Sequence, residues 1–175
     1  MAITIEQLDA PAARAALPEL AALLEEAVRG GASVGFVLPL ADGELETYWS
    51  GVVASVASGQ KALLVARKEG RLAGTVQVAF EPRANGSHRA EIQKLLVHRW
   101  ARRQGVGAAL MGAAEEAARA ANRTLLVLDT RVGDDAERLY RRLGYQLAGV
   151  IPYYARSIDG RLEGSAFMYK LLAEV

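Results

Sequence analysis

The order of the predicted elements indicates a mixed α/β fold. Apolar segments separated by turn residues predict three successive strands between residues 61 and 97. Two helical patterns precede these strands, and strand and helix patterns alternate after them. The chain has 175 residues, which is enough to bury a sizeable core in one domain. We therefore expect a single domain over residues 1–175, with a sheet flanked by helices.

The N-terminal part of the chain predicts two helices. Residues 11–29 are rich in Ala, Leu and Glu at amphipathic spacing, and a Gly-Gly pair ends that pattern. Residues 32–39 are predicted to be irregular. Residues 42–57 predict the second helix, which ends at a Ser-Gly pair.

A meander of three strands follows these helices. The dipeptide Glu69-Gly70 separates two apolar segments and is typical of a tight hairpin turn. Residues 82–87 are predicted to form a loop before the third strand. The three strands are predicted over residues 61–68, 71–80 and 90–97.

The second half of the chain alternates helices and strands. Residues 104–121 carry apolar side chains at helical spacing and predict a long helix. Residues 134–143 predict a shorter helix, and Gly144 is suited to end it. The remaining strands are predicted over residues 125–129, 145–152 and 165–172.

The composition excludes several classes of function. The formal net charge is only +1, so no overall positive field would attract nucleic acid or an anionic membrane. The chain has no cysteine, which removes disulfides, thiolate metal sites and a cysteine nucleophile. Uncharged runs such as residues 30–41 are too short to cross a bilayer, and the first residues lack the features of a signal peptide. We expect a cytoplasmic protein with no nucleic-acid or membrane partner.

The stretch HRWARRQGVGAAL places arginines and glycines at a predicted helix start. Gly105 and Gly107 would let a phosphate approach the unpaired N–H groups there, and Arg102 and Arg103 would add positive charge. The spacing departs from both the Rossmann fingerprint and the P-loop. An ordinary solvated turn explains the same residues equally well.

The order of motifs resembles the GNAT superfamily of N-acetyltransferases. The resemblance covers residues 61–175, and the stretches RAEIQKLLVHRWARRQGVG and LVLDT look most like the tabtoxin-resistance type. Arg99 stands where the family usually has a proline. The motifs that carry the resemblance are Leu95-x-Val97, Arg102-x-x-Gly105-x-Gly107 and Ala136-x-x-x-Tyr140-x-x-x-Gly144-Tyr145.

The resemblance implies a cofactor and its binding segment. A GNAT domain has a mixed, mostly antiparallel sheet whose central strands splay apart, and it uses acetyl-CoA as cosubstrate. The main chain of Leu95, Leu96 and Val97 would pair with the pantetheine arm, and one of its N–H groups would serve as oxyanion donor. The pyrophosphate would lie on the loop and helix start formed by Arg102, Arg103, Gln104, Gly105, Val106, Gly107 and Ala108.

The implied reaction needs a base and an acid. An amine with a pKa of about 10 must lose a proton before it attacks the thioester, and a thiolate with a pKa of roughly 8.5 leaves. Glu91 and Asp129 lie on strands that flank the cofactor segment, where each is either a solvated end group or a catalytic carboxylate. The resemblance favours Glu91 as base and Asp129 as a group that orients or binds the amine. It favours Tyr140 as the acid, although the pattern alone favours a core aromatic.

The expected function is acetyl transfer to a small primary amine by direct attack, with an amino-acid-like toxin or antibiotic as the first choice of acceptor. A catalytically silent acyl-CoA-binding module and a nucleic-acid-binding protein are the alternatives. His88 and His98 are too isolated for a metal site, so no metal is expected. Family members are often dimers, and a homodimer is possible here. Trp49, Tyr153 and Tyr154 fall where the family covers its substrate, although the pattern favours a core or rim position for each. The neighbouring segment over residues 33–36 is a candidate lining of the acceptor pocket.

Overall fold

One seven-stranded sheet organises the chain. The structure is a computed structural model, and it describes residues 2–173. The strands are β1 Ile3–Leu8, β2 Lys61–Lys68, β3 Arg71–Phe80, β4 Arg89–Val97, β5 Leu125–Arg131, β6 Gln146–Arg156 and β7 Leu162–Leu171. Their order in the sheet is β1-β2-β3-β4-β5-β7-β6, and within these described residues only β4 and β5 run parallel. This arrangement confirms the predicted mixed, mostly antiparallel sheet.

In the described part of the chain, five α-helices cover the two faces of this sheet. They are α1 Ala10–Ala15, α2 Leu17–Arg29, α3 Glu44–Ala57, α4 Val106–Ala120 and α5 Asp135–Arg142. One face packs against α1, α2 and α3 in a core that includes Leu20, Trp49 and Leu63. The other face packs against α4 and α5 around Leu110 and Leu126. None of these helices, within residues 2–173, is long and apolar enough to cross a membrane.

The N-terminal region differs from its prediction in two ways. The predicted helix over residues 11–29 is two helices, and Pro18 stands in the first turn of the second one. Proline has no N–H and fits a first turn but not a helix interior, so the chain breaks at Ala16. The strand β1 was not predicted, although Ile3 and Ile5 alternate with polar residues as an edge strand requires.

The remaining elements match their predictions to within a few residues. Glu69 and Gly70 both adopt positive φ, 55° and 76°, which confirms the tight hairpin turn. The helix α4 begins at Val106 rather than at residue 104, because Gly105 is left-handed with φ of 84°. The predicted domain over residues 1–175 has its first residue and its last two outside the described part of the chain.

Candidate active site

A gap opens between the two parallel strands. Only three residues of β4 pair with β5, and the last of these pairs joins Glu91 to Val127. Beyond it the strands diverge, which confirms the expected splay. On the side towards β5, the β4 main chain from Ile92 onward therefore lies at an open edge, and Leu95, Leu96 and Val97 belong to that segment. An extended amide chain can hydrogen-bond to such an edge.

A bulge in β4 lies beside this gap. The register with β3 shifts between Thr75 and Gln77, and Lys94 has a positive φ of 51°. A bulge turns side chains away from the regular alternation of a strand. Here it leaves Leu95 against the core under α4 and Leu96 in the core under α1–α3. It also directs the Lys94 side chain towards Tyr48 of α3.

The glycine segment forms the N-terminus of α4. Ala109 N–H donates to the Gly105 carbonyl at 3.0 Å. The N–H groups of Val106, Gly107 and Ala108 precede that bond and have no partner in the helix. The helix dipole favours an anion at the same position. A Cβ on Gly107 would lie 3.1 Å from Cδ2 of Leu139, so a side chain there would also crowd α5.

Three polar side chains surround this helix start, and all of them are exposed. Arg102 Nε donates to the Val97 carbonyl at 3.1 Å, which ties the loop to the end of β4. Arg103 reaches Asp135 of α5 at 3.6 Å. Gln104 Nε2 donates to the Trp100 carbonyl at 2.8 Å, and its Oε1 accepts from Lys68, a lysine that the sequence did not point to. The loop is therefore both basic and held in shape.

Glu91 and Asp129 line the same cavity. This cavity has a volume of about 530 Å³, and Phe80, Val127 and Phe167 form much of its apolar wall. Both carboxylates are exposed. Ser165 Oγ donates to Asp129 Oδ2 at 2.7 Å and fixes that carboxylate. A second cavity of about 590 Å³ lies beside β1 and α3. Its lining contains neither Glu91 nor Asp129, and no residue of the glycine loop.

Tyr140 lies on the opposite face of the sheet from Glu91. Glu91 alternates with Ala90 and Ile92, which lie in the core under α4, so Glu91 points to the other face. Tyr140 belongs to that core and is only 6% exposed. Burial, and secondarily the charge of Asp129, raises the pKa of Tyr140 above its usual value. The phenol therefore stays protonated at neutral pH.

A chain of polar side chains lies under α3, and sequence reasoning did not find it. Lys61 Nζ donates to Gln93 Oε1 at 2.7 Å and to Gln77 Oε1 at 2.9 Å. Gln77 Nε2 in turn donates to the Tyr48 hydroxyl at 2.9 Å. Lys94 Nζ lies 5.3 Å from the centre of the Tyr48 ring. We call these five residues the donor network.

Burial changes the proton affinities of this network. It lowers the pKa of Lys94, against the opposing effect of the Asp129 and Glu91 charges. Burial also lowers the pKa of Lys61, and it raises the pKa of Tyr48. The sequence does carry one local signal for the donor network. Polar residues interrupt strands that are otherwise almost entirely apolar, and such residues are seldom buried without a partner.

The other residues singled out from sequence are dispersed. Trp49 is fully buried in the core. Tyr153 is 74% exposed, whereas the Tyr154 ring packs edge-to-face on the ring of Phe167, which lines the cavity, at a centroid distance of 5.1 Å. Phe36, from the segment over residues 33–36, packs on Tyr48 at 5.4 Å. His98 Nδ1 lies 3.3 Å from Glu26 Oε1. Across residues 2–173, His, Asp and Glu side chains form no group of three that could hold a metal ion.

Comparison with known proteins identifies the family. Residues 39–145 match the model of the acetyltransferase (GNAT) family. An uncharacterized N-acetyltransferase encoded in the hisH-hisA intergenic region of Azospirillum brasilense is 34% identical over 131 residues, which cover 74% of this chain and 76% of that protein. The chain therefore belongs to the GNAT family of acetyltransferases. It is an N-acetyltransferase with acetyl-CoA as its cosubstrate.

Solved structures agree with this assignment. A ribosomal-protein-alanine N-acetyltransferase from Brucella melitensis is 26% identical, with a TM-score of 0.80 over 96% of this chain and 99% of that one. A GNAT superfamily phosphinothricin acetyltransferase from Sinorhizobium meliloti, in complex with acetyl-CoA, is 22% identical. Its TM-score is 0.81 over 99% of this chain and 90% of that one. The fold class predicted from sequence is confirmed.

Proposed function

We propose that the protein transfers an acetyl group to a small primary amine by direct attack within the gap between β4 and β5. One observation carries the proposal. Two carboxylates line a cavity on one face of the sheet beside the gap, and Tyr140, whose pKa is raised, lies in the core on the other face. An amine can thus lose its proton on the first side while the leaving thiolate is met by a donor on the second. No covalent enzyme intermediate is needed.

Glu91 is the proposed base. It lines the cavity at the last paired position before the strands diverge, so it lies next to the place where the amine would enter. Asp129 is the proposed binding group for the cationic amine. The hydrogen bond from Ser165 supports this role because it holds the carboxylate in one orientation.

Tyr140 is the proposed acid. A phenol whose pKa is raised keeps its proton at neutral pH and can donate it, or a hydrogen bond, to a developing thiolate. Its ring packs in the core, with the Tyr145 ring at 5.8 Å, and this restricts where the hydroxyl can go. A main-chain N–H of Leu95, Leu96 or Val97 is the proposed donor to the acetyl oxygen.

The cosubstrate site is proposed at the glycine loop and the β4 edge. Acetyl-CoA supplies the activated acetyl group as a thioester. The free N–H groups at the start of α4 suit its pyrophosphate, and Arg102 and Arg103 would add charge. The open edge formed by Leu95, Leu96 and Val97 suits the amide groups of its arm.

The acceptor is proposed to be amino-acid-like. The phosphinothricin acetyltransferase has by its name such an acceptor, whereas the ribosomal-protein-alanine enzyme has by its name a protein acceptor. The predicted likeness to the tabtoxin-resistance type points to the small molecule, and it remains a prediction. A cavity of about 530 Å³ is of the size that encloses a small acceptor.

Self-association is proposed through β6. Among residues 2–173 this strand pairs with β7 alone, and its other edge is open. Val150 and Ile151 are 49% and 47% exposed on it. Two copies can join such edges about a two-fold axis. Light scattering should give the mass of a dimer, and Ile151→Asp should give that of a monomer. A monomeric wild type would contradict the proposal.

Release of free CoA in the presence of an amine panel tests the catalytic proposal. At least one amine should release CoA from acetyl-CoA well above the rate of hydrolysis, with stoichiometric N-acetyl product. Glu91→Gln and Tyr140→Phe should depress that release. Tight acetyl-CoA binding without amine-dependent release would instead favour the silent acyl-CoA-binding module.

A further inference from the structure

We propose that Lys94 and the Tyr48 hydroxyl form an anion subsite in the acceptor pocket, so that the acceptor carries an acid group as well as its amine. This inference rests on the proposed function, because it names the substrate class of the same site. It selects amino-acid-like zwitterions over polyamines and other amines that lack an acid group.

The hydrogen-bond pattern fixes the direction of the donors. A lysine ammonium only donates, so the oxygen of Gln77 must face Lys61. The amide nitrogen of Gln77 then faces Tyr48, whose oxygen must accept. The Tyr48 proton is consequently left to point elsewhere, and its pKa, raised by burial, keeps that proton in place.

Gln93 is oriented by the same argument. Its oxygen accepts from Lys61, which leaves its amide nitrogen as a donor. Within residues 2–173 no other hydrogen bond of the Gln93 side chain is found. The network thus has two unused donor groups, the Gln93 amide and the Tyr48 hydroxyl. Such a surface complements an oxyanion.

Lys94 supplies the charge of the subsite. Its ammonium forms neither an ion pair nor a hydrogen bond with any other residue from 2 to 173, although the side chain is half-buried. It lies beside the Tyr48 ring and 3.8 Å from the position that a Cβ on Gly35 would take. This places it beneath the segment over residues 33–36, next to the bulge of β4. A half-buried ammonium without a partner is costly unless a ligand supplies the counter-charge.

Glu91 and Asp129 line the cavity of about 530 Å³, whereas Lys94 and Tyr48 lie outside that lining, on the face of the sheet to which Glu91 points. The proposed acceptor site therefore has two poles. Glu91 and Asp129 only accept hydrogen bonds when ionised and suit an ammonium or amine. Lys94 and Tyr48 donate and suit a carboxylate or a related oxyanion. The charges of Glu91 and Asp129 act on Lys94, so the two poles lie within electrostatic range of each other. An amino acid presents both groups a few bonds apart.

A second explanation of Lys94 makes a different prediction. If the lysine only balances the charge of the two carboxylates, its removal would alter the pH–rate profile for every acceptor in the same way. If it binds an acid group, its removal would raise KM only for acceptors that carry one. Matched acceptors therefore separate the two explanations.

The experiment compares three forms of each acceptor. Protein amino acids, their methyl esters and the amines that remain when the acid group is removed are assayed with saturating acetyl-CoA. Aminophosphonic acids are included to distinguish a carboxylate from a phosphonate. The wild type should prefer acid-bearing acceptors by about tenfold or more in kcat/KM.

Variants of Lys94 and Tyr48 test which side chain causes the preference for acid-bearing acceptors. Lys94→Met keeps the length of the side chain and should raise KM for acid-bearing acceptors by about 10- to 100-fold, with little effect on esters and amines. Lys94→Arg should restore part of the preference. Tyr48→Phe removes the hydroxyl and should reduce the preference less. Arg14→Met removes an exposed charge of α1 as a control and should change nothing. Thermal melting checks that each variant is folded.

The outcomes separate this inference from the proposed function. Equal use of acids, esters and amines by the wild type would overturn the subsite while leaving N-acetylation intact. An equal loss for all acceptors in Lys94→Met would also overturn it. If no acceptor is turned over, calorimetry with the same amino acids and CoA-loaded protein decides. Binding that Lys94→Met abolishes would support the subsite even then, and absence of binding would reject it.

Discussion

The two halves of the proposed site use different parts of the chain. The cosubstrate half consists of the β4 edge, the glycine loop and the start of α4, which are consecutive in sequence and present mainly backbone groups. The acceptor half consists of side chains from α3, β2, β3, β4 and β5. We expect the first half to tolerate changes of side chain but not added bulk, and the second to respond to the loss of single polar atoms.

Added bulk at the glycine loop should have the largest effect. Gly107→Val should lower acetyl-CoA affinity beyond calorimetric detection, because a branched side chain obstructs the free N–H groups and crowds Leu139. Gly112→Val is the matched control. It places the same residue in α4 at an exposed position where a Cβ meets nothing within 4 Å.

Unchanged acetyl-CoA affinity in a folded Gly107→Val variant would contradict the proposal that the free N–H groups at the start of α4 bind the pyrophosphate. Circular dichroism and thermal melting establish that both variants are folded. Gly107→Ala adds only the Cβ that would lie 3.1 Å from Leu139, and it should weaken binding less. Equal losses in Gly107→Val and Gly112→Val would point to helix propensity instead.

The same contrast explains how much the sequence could predict. The cosubstrate half is a contiguous motif whose glycines and helix start have a direct physical meaning, so the sequence alone predicts its residues. The donor network joins residues that lie far apart along the chain. Lys61, Gln77 and Gln93 meet because β2, β3 and β4 are neighbours in register, and Tyr48 of α3 joins them through Gln77. The side-chain position of Lys94 depends on a bulge, and the alternation of a regular strand does not reveal a bulge.

The N-terminal region shows a similar limit. Strand β1 is stabilised by pairing along β2, which is a tertiary contact that a six-residue pattern does not encode. The fold class was nevertheless predictable, since the hairpin and the alternation of the later elements depend on local turn chemistry. Ser165 was missed for the reason that applies to the donor network: its partner Asp129 lies on another strand.

In the acceptor half, removal of one carboxylate should affect the chemical step. Glu91→Gln should lower kcat by roughly 10²- to 10⁴-fold at neutral pH, as expected for a general base. Raising the pH towards about 10 should recover much of this loss, because the free amine no longer needs a base. Single-turnover rates with saturating acetyl-CoA measure the effect without interference from product release.

Asp129→Asn is the matched comparison for Glu91→Gln. It should raise the KM of the amine by about tenfold or more, with a smaller change in kcat, because a charge-assisted contact is lost. A pH–rate profile that is identical to the wild type in both variants would mean that the base lies elsewhere. If the two carboxylates share the proton, both profiles should shift together.

Removal of the Tyr140 hydroxyl should lower kcat by about 10²-fold. Tyr140→Phe keeps the ring in the core and removes only the hydroxyl, so acetyl-CoA affinity should change little. Because burial and the nearby charge of Asp129 raise the pKa of Tyr140, the phenol should remain protonated in the alkaline range that is used to rescue Glu91→Gln. Tyr145→Phe, which alters the neighbouring ring, is the control. Wild-type single-turnover rates in Tyr140→Phe would return this residue to a purely structural role.

The smallest effect is expected at Arg102, where the backbone and side-chain contributions of the cosubstrate half meet. Arg102→Ala should weaken acetyl-CoA binding by about three- to tenfold at low salt, because it removes one exposed cation from a loop whose N–H groups remain. If charge is the cause, the difference from wild type should shrink at about 1 M salt, where the Debye length falls to roughly 3 Å. If Arg102 acts instead by holding the Val97 carbonyl at 3.1 Å, the loss should persist at high salt. Arg102→Lys keeps the charge but lacks the planar guanidinium group. Near-wild-type acetyl-CoA affinity in that variant at low salt would therefore assign the effect to charge. A loss as large as that in Arg102→Ala would assign it to the hydrogen bond that shapes the loop.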